Sequence, residues 1–433
     1  MIKDHTMPAF KPEQLMNCER FNRIKEFAKG KATPFLLIDL DVVSCKYDEL
    51  KRLLPAAKVY YAVKANPMDE VIALLASKGS YFDIATRYEL DQLLKLGISP
   101  ERMSYGNTIK KSEDIRYAYE LGIRLFATDS INDLHKIARN APGSNVFFRL
   151  RAIDISSEWP LSRKFGTDKD TVVQLIKEAH KIGLCPYGVS FHVGSQKTMA
   201  NAWSDAIYKS HQIFKEAEKD GIRLKMINLG GGFPANYYRV ENDGDGYRMS
   251  LKPYDISLYA DSIKSTLSDM FGKDMPEIFI EPGRSITGDS GVIVSEIVLV
   301  SAKKEMRRKY QDENESFGRK LISPDDPGFE FEENKWVYLD VGKFGGLIET
   351  LDESINYPIY VEREGKPERV ILAGPTCDSV DILYDKHPYY LPSDIEEGDL
   401  AYIFSTGAYT QSYSSVCFNG IPPLKAYVLP MKK

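Results

Sequence analysis

Six short segments carry side chains that could do chemistry together. Lys64 closes the apolar run VYYAV (59–63), where a dry flank beside another cation lowers the pKa of an amine and makes it a nucleophile toward a carbonyl. The bland reading of the same residue is a solvated lysine at a strand end. His192, in SFHVGSQ (190–196), follows an alternating strand and reads equally as a neutral core histidine or a ligand contact. Gly230, Gly231 and Gly232 stand before Phe233-Pro234 and offer successive backbone amides of the kind that wrap a phosphate. Pro234 spoils the dinucleotide fingerprint, and a tight turn without ligand is the alternative. EPGR sets Glu281 and Arg284 three residues apart, as ligand contacts or as a surface ion pair. GPTCDSVD (374–381) crowds Cys377, Asp378 and Asp381 into one turn, although burial as an inert thiol is the ordinary fate of cysteine. GAYT (407–410) brings Tyr409, either a core residue or a phosphate partner.

Most of these residues fall at the C-terminal ends of strand-like runs. Eight such runs alternate with helix-period segments: VYYAVKA (59–65), YFDIA (81–85), RMSYGN (102–107), LFATDS (125–130), NVFFRLRA (145–152), PYGVSFHV (186–193), KMINLGGG (225–232) and EIFIEPG (277–283). Thr86-x-x-Glu89 and Ser130-x-x-Asp133 read as helix-capping pairs. Eight strand–helix units predict an α/β fold with a (β/α)8 barrel over residues 36–284, an open doubly wound sheet being the runner-up. Function in such a barrel sits at the C-terminal strand ends, where Lys64, Asp83, Asn107, Arg151, His192, Ser195, Gly230 to Gly232, Glu281 and Arg284 form a polar ring. Residues 1–35 and 285–433 are assigned to a mostly antiparallel β domain, a sandwich or barrel, from runs such as VIVSEIVLVSA, KWVYLDV and LAYIFST. Within it, residues 303–335 are about half charged and read as a solvated loop.

The 433 residues are 43% hydrophobic and 27% charged, which excludes bulk disorder. A net charge of −5 argues against nucleic acid as a partner. Five scattered cysteines without a CxxC pair predict a reducing compartment, no disulfide frame and no metal. No apolar run approaches the ~18 residues that span a bilayer, so a cytoplasmic protein without a membrane partner is expected.

Taken jointly, YAVKAN, FDIAT, SFHVGSQ, LGGGFP, EPGR, GPTCDSVD and GAYT resemble, in order and over about residues 34–429, the fold-type III pyridoxal-phosphate decarboxylases of basic amino acids. The resemblance implies pyridoxal 5'-phosphate as cofactor and Lys64 as the lysine that forms its Schiff base. It implies His192 stacked on the ring, Glu281 on the ring nitrogen, and Ser195, Gly230, Gly231, Gly232, Arg284 and Tyr409 around the phosphate. Asp83, Glu89 and Arg151 match positions lining the same pocket. Cys377 corresponds to the family's proton donor and Asp378 to the acid that meets the substrate's distal ammonium, both reaching into the partner's barrel in a homodimer with shared sites. Asp381 is placed among the substrate contacts. The second diamine-binding aspartate of the eukaryotic ornithine enzymes aligns with Glu353, with Asp352 beside it, so that an added methylene alters pocket depth. The implied activity is decarboxylation of L-ornithine to putrescine, with L-lysine as a further substrate, in polyamine synthesis. An arginine or diaminopimelate decarboxylase is the alternative within the family, and a non-catalytic regulator-binding homologue is the alternative of another class.

Overall fold

The computed structural model describes residues 10–152, 164–242, 247–308 and 329–432. Eight parallel strands close into a barrel: Ala57–Ala62, Tyr81–Ile84, Met103–Tyr105, Leu125–Thr128, Asn145–Arg149, Cys185–Ser190, Met226–Asn228 and Glu277–Ile280. One strand arises from each apolar run. The helices between them start where the sequence offers a cap. The Thr86 hydroxyl accepts the Glu89 N–H at the head of Arg87–Lys95, and Ser130 accepts the Asp133 N–H at the head of Ile131–Asn140. Leu90 and Leu93, then Leu134 and Ile137, are the buried faces of those two helices. Tyr60, Phe147, Met226 and Phe279 pack together inside the barrel, with Tyr60 stacked on Phe279 at 4.6 Å. The interior is therefore a packed core, and ligand space is left at the mouth.

The second layer is an eight-stranded sheet. Its longest strand, Gly291–Arg308, pairs antiparallel with Phe329–Leu339, Leu400–Phe404 and Phe35–Asp39. Phe35–Asp39 in turn runs parallel to Lys425–Leu429. The run PFLLIDL (34–40), a candidate further strand of the β domain by its sequence, thus forms a strand of this layer that ends at Asp39, past residue 36 where the barrel assignment begins. Helix Leu40–Leu53 separates it from the first barrel strand. Phe21, Phe35, Val292, Tyr402 and Phe404 form the local core of this side.

Two expectations change here. The charged stretch 303–335 is strand on both flanks: residues from Lys303 opposite Asn334 to Arg308 opposite Phe329 are paired, while 309–328 lie outside the described residues. Charge on a sheet face that stays in water does not oppose strand formation, and Lys303 lies over the Trp336 ring at 4.5 Å. Ile382–Pro392, which follows the GPTCDSVD turn and is not among the expected strands, is an eleven-residue strand. Its Tyr384 and Tyr389 stack at 5.0 Å and donate their hydroxyls to the Ile355 and Tyr357 carbonyls. Among the described residues no helix is long and apolar enough to cross a membrane.

The two layers lock together around Asp289 and Gly291. Asp289 accepts the Asn236 backbone and side-chain N–H groups and lies 3.2 Å from Lys46. Gly291 sits so close to the 406–407 backbone that a Cβ there would lie 2.1 Å from the Gly407 nitrogen. Gly291→Ala is expected to lower stability by about 1–3 kcal/mol or more, because a backbone cannot swing aside as a side chain does. Urea unfolding checks this, and a wild-type midpoint would show that the junction has slack.

Candidate functional site

A cleft of about 270 Å³ opens at the C-terminal mouth of the barrel. Lys64 enters it from a single 3-10 turn, Val63–Ala65, that ends the first barrel strand. That turn is held from the β layer: the Tyr409 N–H donates to the Ala65 carbonyl at 2.8 Å, and Asn66 Nδ2 to the Gly407 carbonyl at 2.8 Å. Lys64 Nζ is 3.8 Å from Asp83 Oδ2. Enclosure by the barrel pulls the amine down, but Asp83, Tyr409 and Glu281 around it more than reverse this, so its pKa lies above the usual lysine value. Burial and the neighbouring Glu281 push the Asp83 carboxyl well up, against the pull of Lys64. Space for that carboxylate depends on Gly106, where a Cβ would stand 2.0 Å from Asp83 Oδ1.

His192 lines the opposite wall. Its Nδ1 accepts the Gly194 N–H at 3.0 Å, so the ring proton sits on Nε2. Burial, then Arg149, Lys64 and Lys197, hold its pKa far below the usual histidine value, and the ring is neutral at physiological pH. Gly231 must be glycine, since a Cβ would lie 2.6 Å from the Glu281 carbonyl and 3.2 Å from His192 Nε2. Gly232, at φ 105°, is similarly pressed against the Gly194 carbonyl. At this end Arg284 Nε donates to Ser195 Oγ at 3.2 Å, and the Tyr409 ring covers the guanidinium at 4.8 Å. Glu281, elsewhere on the same rim, accepts a hydrogen bond from Asn228 Nδ2, which fixes its carboxylate.

The cleft gathers Lys64, Asp83, Asn107, His192, Ser195, Gly231, Gly232, Glu281, Arg284 and Tyr409. Other expected residues lie elsewhere. Arg149, not Arg151, lines the cleft, with its guanidinium 4.8 Å from the Phe165 ring centre. Arg151 is exposed and donates to the Gly166 carbonyl at 3.1 Å. The strand ends at Arg149, and the chain then turns outward, its Arg151 N–H bonding the Thr167 carbonyl. Glu89 spends its carboxylate on the Ala85 N–H, and Gly230 stands behind the lining. Glu353 is 6% exposed and accepts the backbone N–H groups of Asp385, Lys386 and His387 together with His387 Nδ1, so it clamps a strand and does not reach the cleft. Asp352 is exposed and pairs with Lys386 at 2.9 Å. Asp381 is buried and accepts the Lys343 and Thr376 N–H groups and the Thr376 hydroxyl, shaping its own turn. Cys377 and Asp378 sit exposed on that turn, away from the cleft of their own chain.

Asn228, Phe165, Tyr413 and Glu349 are site residues that the sequence reading did not single out. Asn228 was legible as the last residue of the strand before the glycine turn. Glu349 had no local signal, because its irregular segment, Ile348–Glu353, has no period to read.

Comparison with known proteins agrees with this geometry. Residues 40–288 match the family described as pyridoxal-dependent decarboxylase, pyridoxal binding domain. The chain is 29% identical to the lysine/ornithine decarboxylase of Selenomonas ruminantium, over 92% of this chain and 90% of that protein. It is 31% identical to the ornithine decarboxylase of Schizosaccharomyces pombe, over 89% and 81%. The crystal structure of the lysine/ornithine decarboxylase from Vibrio vulnificus complexed with putrescine superposes with a TM-score of 0.78 at 26% identity, covering 96% of this chain and 99% of that one. The cleft's donor set suits pyridoxal phosphate: a glycine cradle with Ser195 and Arg284 for an anion, an amine for an aldehyde, and an acid for a ring nitrogen.

The Lys64–Asp83 pair makes a signed prediction. An amine must lose its proton before it can link to an aldehyde, and Asp83 favours the protonated form of Lys64. Asp83→Asn lowers the lysine pKa, so capture of pyridoxal phosphate by the apoprotein at pH 7 should speed up on the order of tenfold for each pKa unit released. The pH–rate midpoint should move down. Stopped-flow absorbance of the lysine-linked aldehyde measures both, and an unmoved midpoint would deny Asp83 this control.

Proposed function

The chain belongs to the pyridoxal-dependent decarboxylases, and from that membership we propose that it releases CO2 from L-ornithine, with L-lysine as a second substrate, in a homodimer whose two sites are shared. The observation that carries the reading is the convergence of Lys64, Glu281 and the Arg284–Ser195–glycine end on one cleft, while Cys377 and Asp378 face outward.

The bound cofactor supplies an electron-poor ring that draws off the electron pair left when the bond from the α-carbon to the carboxylate breaks. Glu281, positioned by Asn228, would hold the proton on the ring nitrogen. Neutral His192 would cover the ring face without adding a charge that would oppose that proton. Lys64 would hold the cofactor through its amine. CO2 departs without the bonding pair, so the α-carbon needs one proton, and the thiol of Cys377 of the partner subunit delivers it. Asp378 of the partner subunit takes the substrate's distal ammonium, a charge pair that rejects side chains lacking the amine. With Glu353 committed to the 385–387 backbone, selection between the two chain lengths falls to this partner turn.

The surface beside the turn supports pairing. The Cys377 N–H donates to Asn419 Oδ1 at 3.0 Å, which joins the turn to the 414–420 segment. There Val416 is 80% exposed and Phe418, packed on Phe344, is partly exposed, and Val380 on the turn itself is half exposed. An apolar patch of this kind is what a subunit contact covers. Product formation from ornithine or lysine places the chain in the synthesis of putrescine and cadaverine, the starting diamines of polyamines.

CO2 release from L-ornithine, L-lysine, L-arginine and meso-diaminopimelate tests the substrate. Ornithine, with or without lysine, is expected to react, and turnover of arginine or diaminopimelate alone would overturn the role of Asp378. Absence of both cofactor binding and turnover would favour a non-catalytic regulator-binding protein. For the shared site, with diamine formation as the readout, Lys64→Ala should be inactive alone, and Cys377→Ala alone should form diamine slowly or divert the product to the aldehyde. Mixed and re-equilibrated in equal amounts, they should recover about a quarter of the wild-type rate, the share of sites left intact by random pairing in a two-fold dimer. No recovery from subunits shown to exchange would place both residues in one chain's site.

A further inference from the structure

Arg284 stands at the anion end of the cleft, yet its guanidinium is already engaged. Nη1 donates to Glu349 Oε2 at 2.8 Å and Nη2 to Glu349 Oε1 at 2.6 Å, a two-armed fork between side chains only 5% and 7% exposed. Nη1 also reaches the Tyr237 hydroxyl at 3.0 Å, and Nε alone turns to Ser195. Burial would lower the arginine's pKa, but Glu349 and the surrounding hydroxyls hold it above the usual value.

The charge around this pair is sparse. Tyr237, Tyr357 and Tyr409 face it from three other segments, and burial pushes each phenol up, so all three stay neutral. His192 is neutral as well. Lys64 and Asp83 are close enough to influence Tyr409, but they offset one another. A phosphate monoester carries about 1.5–2 negative charges at neutral pH. It would arrive at a guanidinium whose charge a carboxylate already cancels. Glu349 belongs to the irregular segment after Gly346, and the Thr350 hydroxyl bonded to the Leu347 carbonyl at 2.7 Å braces the turn that aims it inward.

We propose that Glu349 is an internal anion that competes with the cofactor's phosphate for Arg284, so that loading the site requires the Arg284–Glu349 fork to open. This rests on the reading above that the Ser195–Arg284 end receives the phosphate. The fork keeps the buried arginine satisfied while the site is empty of cofactor, and it subtracts from the hold that the phosphate would otherwise give. The cofactor therefore exchanges more readily than the cradle alone would allow.

Pyridoxal, which lacks the phosphate, isolates this effect. Affinities of the apoprotein for pyridoxal phosphate and for pyridoxal, read from the absorbance of the lysine-linked aldehyde, give a ratio that reports the phosphate's contribution. In Glu349→Gln that ratio should rise at least ~10-fold over wild type, with pyridoxal binding unchanged. The apoprotein should melt earlier, because Arg284 has lost its counter-ion, and the cofactor should restore more of the loss than it adds to wild type. Ser195→Ala should lower the ratio and thereby mark the phosphate end. If Ser195→Ala lowers it while Glu349→Gln leaves it unchanged or lower, the competition is overturned and the phosphate assignment stands. If neither variant moves it, the phosphate assignment itself fails, and the competition with it. Should Glu349→Gln not fold, Glu349→Asp keeps the charge but breaks one arm of the fork. A raised ratio then supports competition, and a ratio at or below wild type overturns it.

Discussion

Arg284 out of water would cost several kcal/mol without a counter-charge, and the mouth of the barrel is organised by needs of that kind. Glu349 answers Arg284, Asp83 faces Lys64, and Arg149 lies within the field of Glu281, Asp129 and Asp83. His192, with cations on its flanks, gives up its proton. The segments that bring these groups together come from both layers: Asp83 lies in a barrel strand, Lys64 and Glu281 follow barrel strands, and Glu349 and Tyr409 come from the β layer. The hydrogen bonds from Tyr409 and Asn66 across the junction tie the lysine's turn to the second layer, so neither layer completes the site alone.

How much of this the sequence reveals depends on whether a residue obeys a local rule. The barrel was legible because each strand is a compact apolar run and each helix has its cap and its apolar face. Residues that end a strand, such as Lys64 and Glu281, inherit a position from that regularity. Arg149 and Arg151 show its limit. They share parity along the strand, and only the departure of the backbone after residue 149 decides which one enters the cleft. Glu349 lies in a segment where Asp352 and Glu353 take positive φ, and no periodic reading foretells its direction.

The acids of the β layer make the same point from the other side. Glu353 enters the sequence reading through the family resemblance, and Asp381 through its place in the Cys377 turn. Each instead collects stray N–H groups, Glu353 those of 385–387, where the pairing of strand Ile382–Pro392 shifts register, and Asp381 those of Lys343 and Thr376. A carboxylate that accepts several backbone donors is a way to make a loop rigid without regular structure. The turn that carries Cys377 and Asp378 is stiff for that reason, with two glycines, 342 and 374, leaving room for the Asp381 carboxylate.

The pairing of Phe35–Asp39 with Lys425–Leu429 sets an order on how the chain can mature during synthesis. Every barrel strand has emerged once residue 280 is made, but the strand at 35–39 then still lacks both its antiparallel neighbour and its parallel one. At roughly 5–20 residues per second, the antiparallel partner at 291–294 follows within a few seconds, while the other edge of the strand waits on the order of ten seconds for residues 425–429. A strand reading Phe-Leu-Leu-Ile with one edge open is a template for another chain. The nascent protein is therefore exposed to aggregation in an interval when its barrel is already able to form, and the strand at 425–429 is the one that closes the risk.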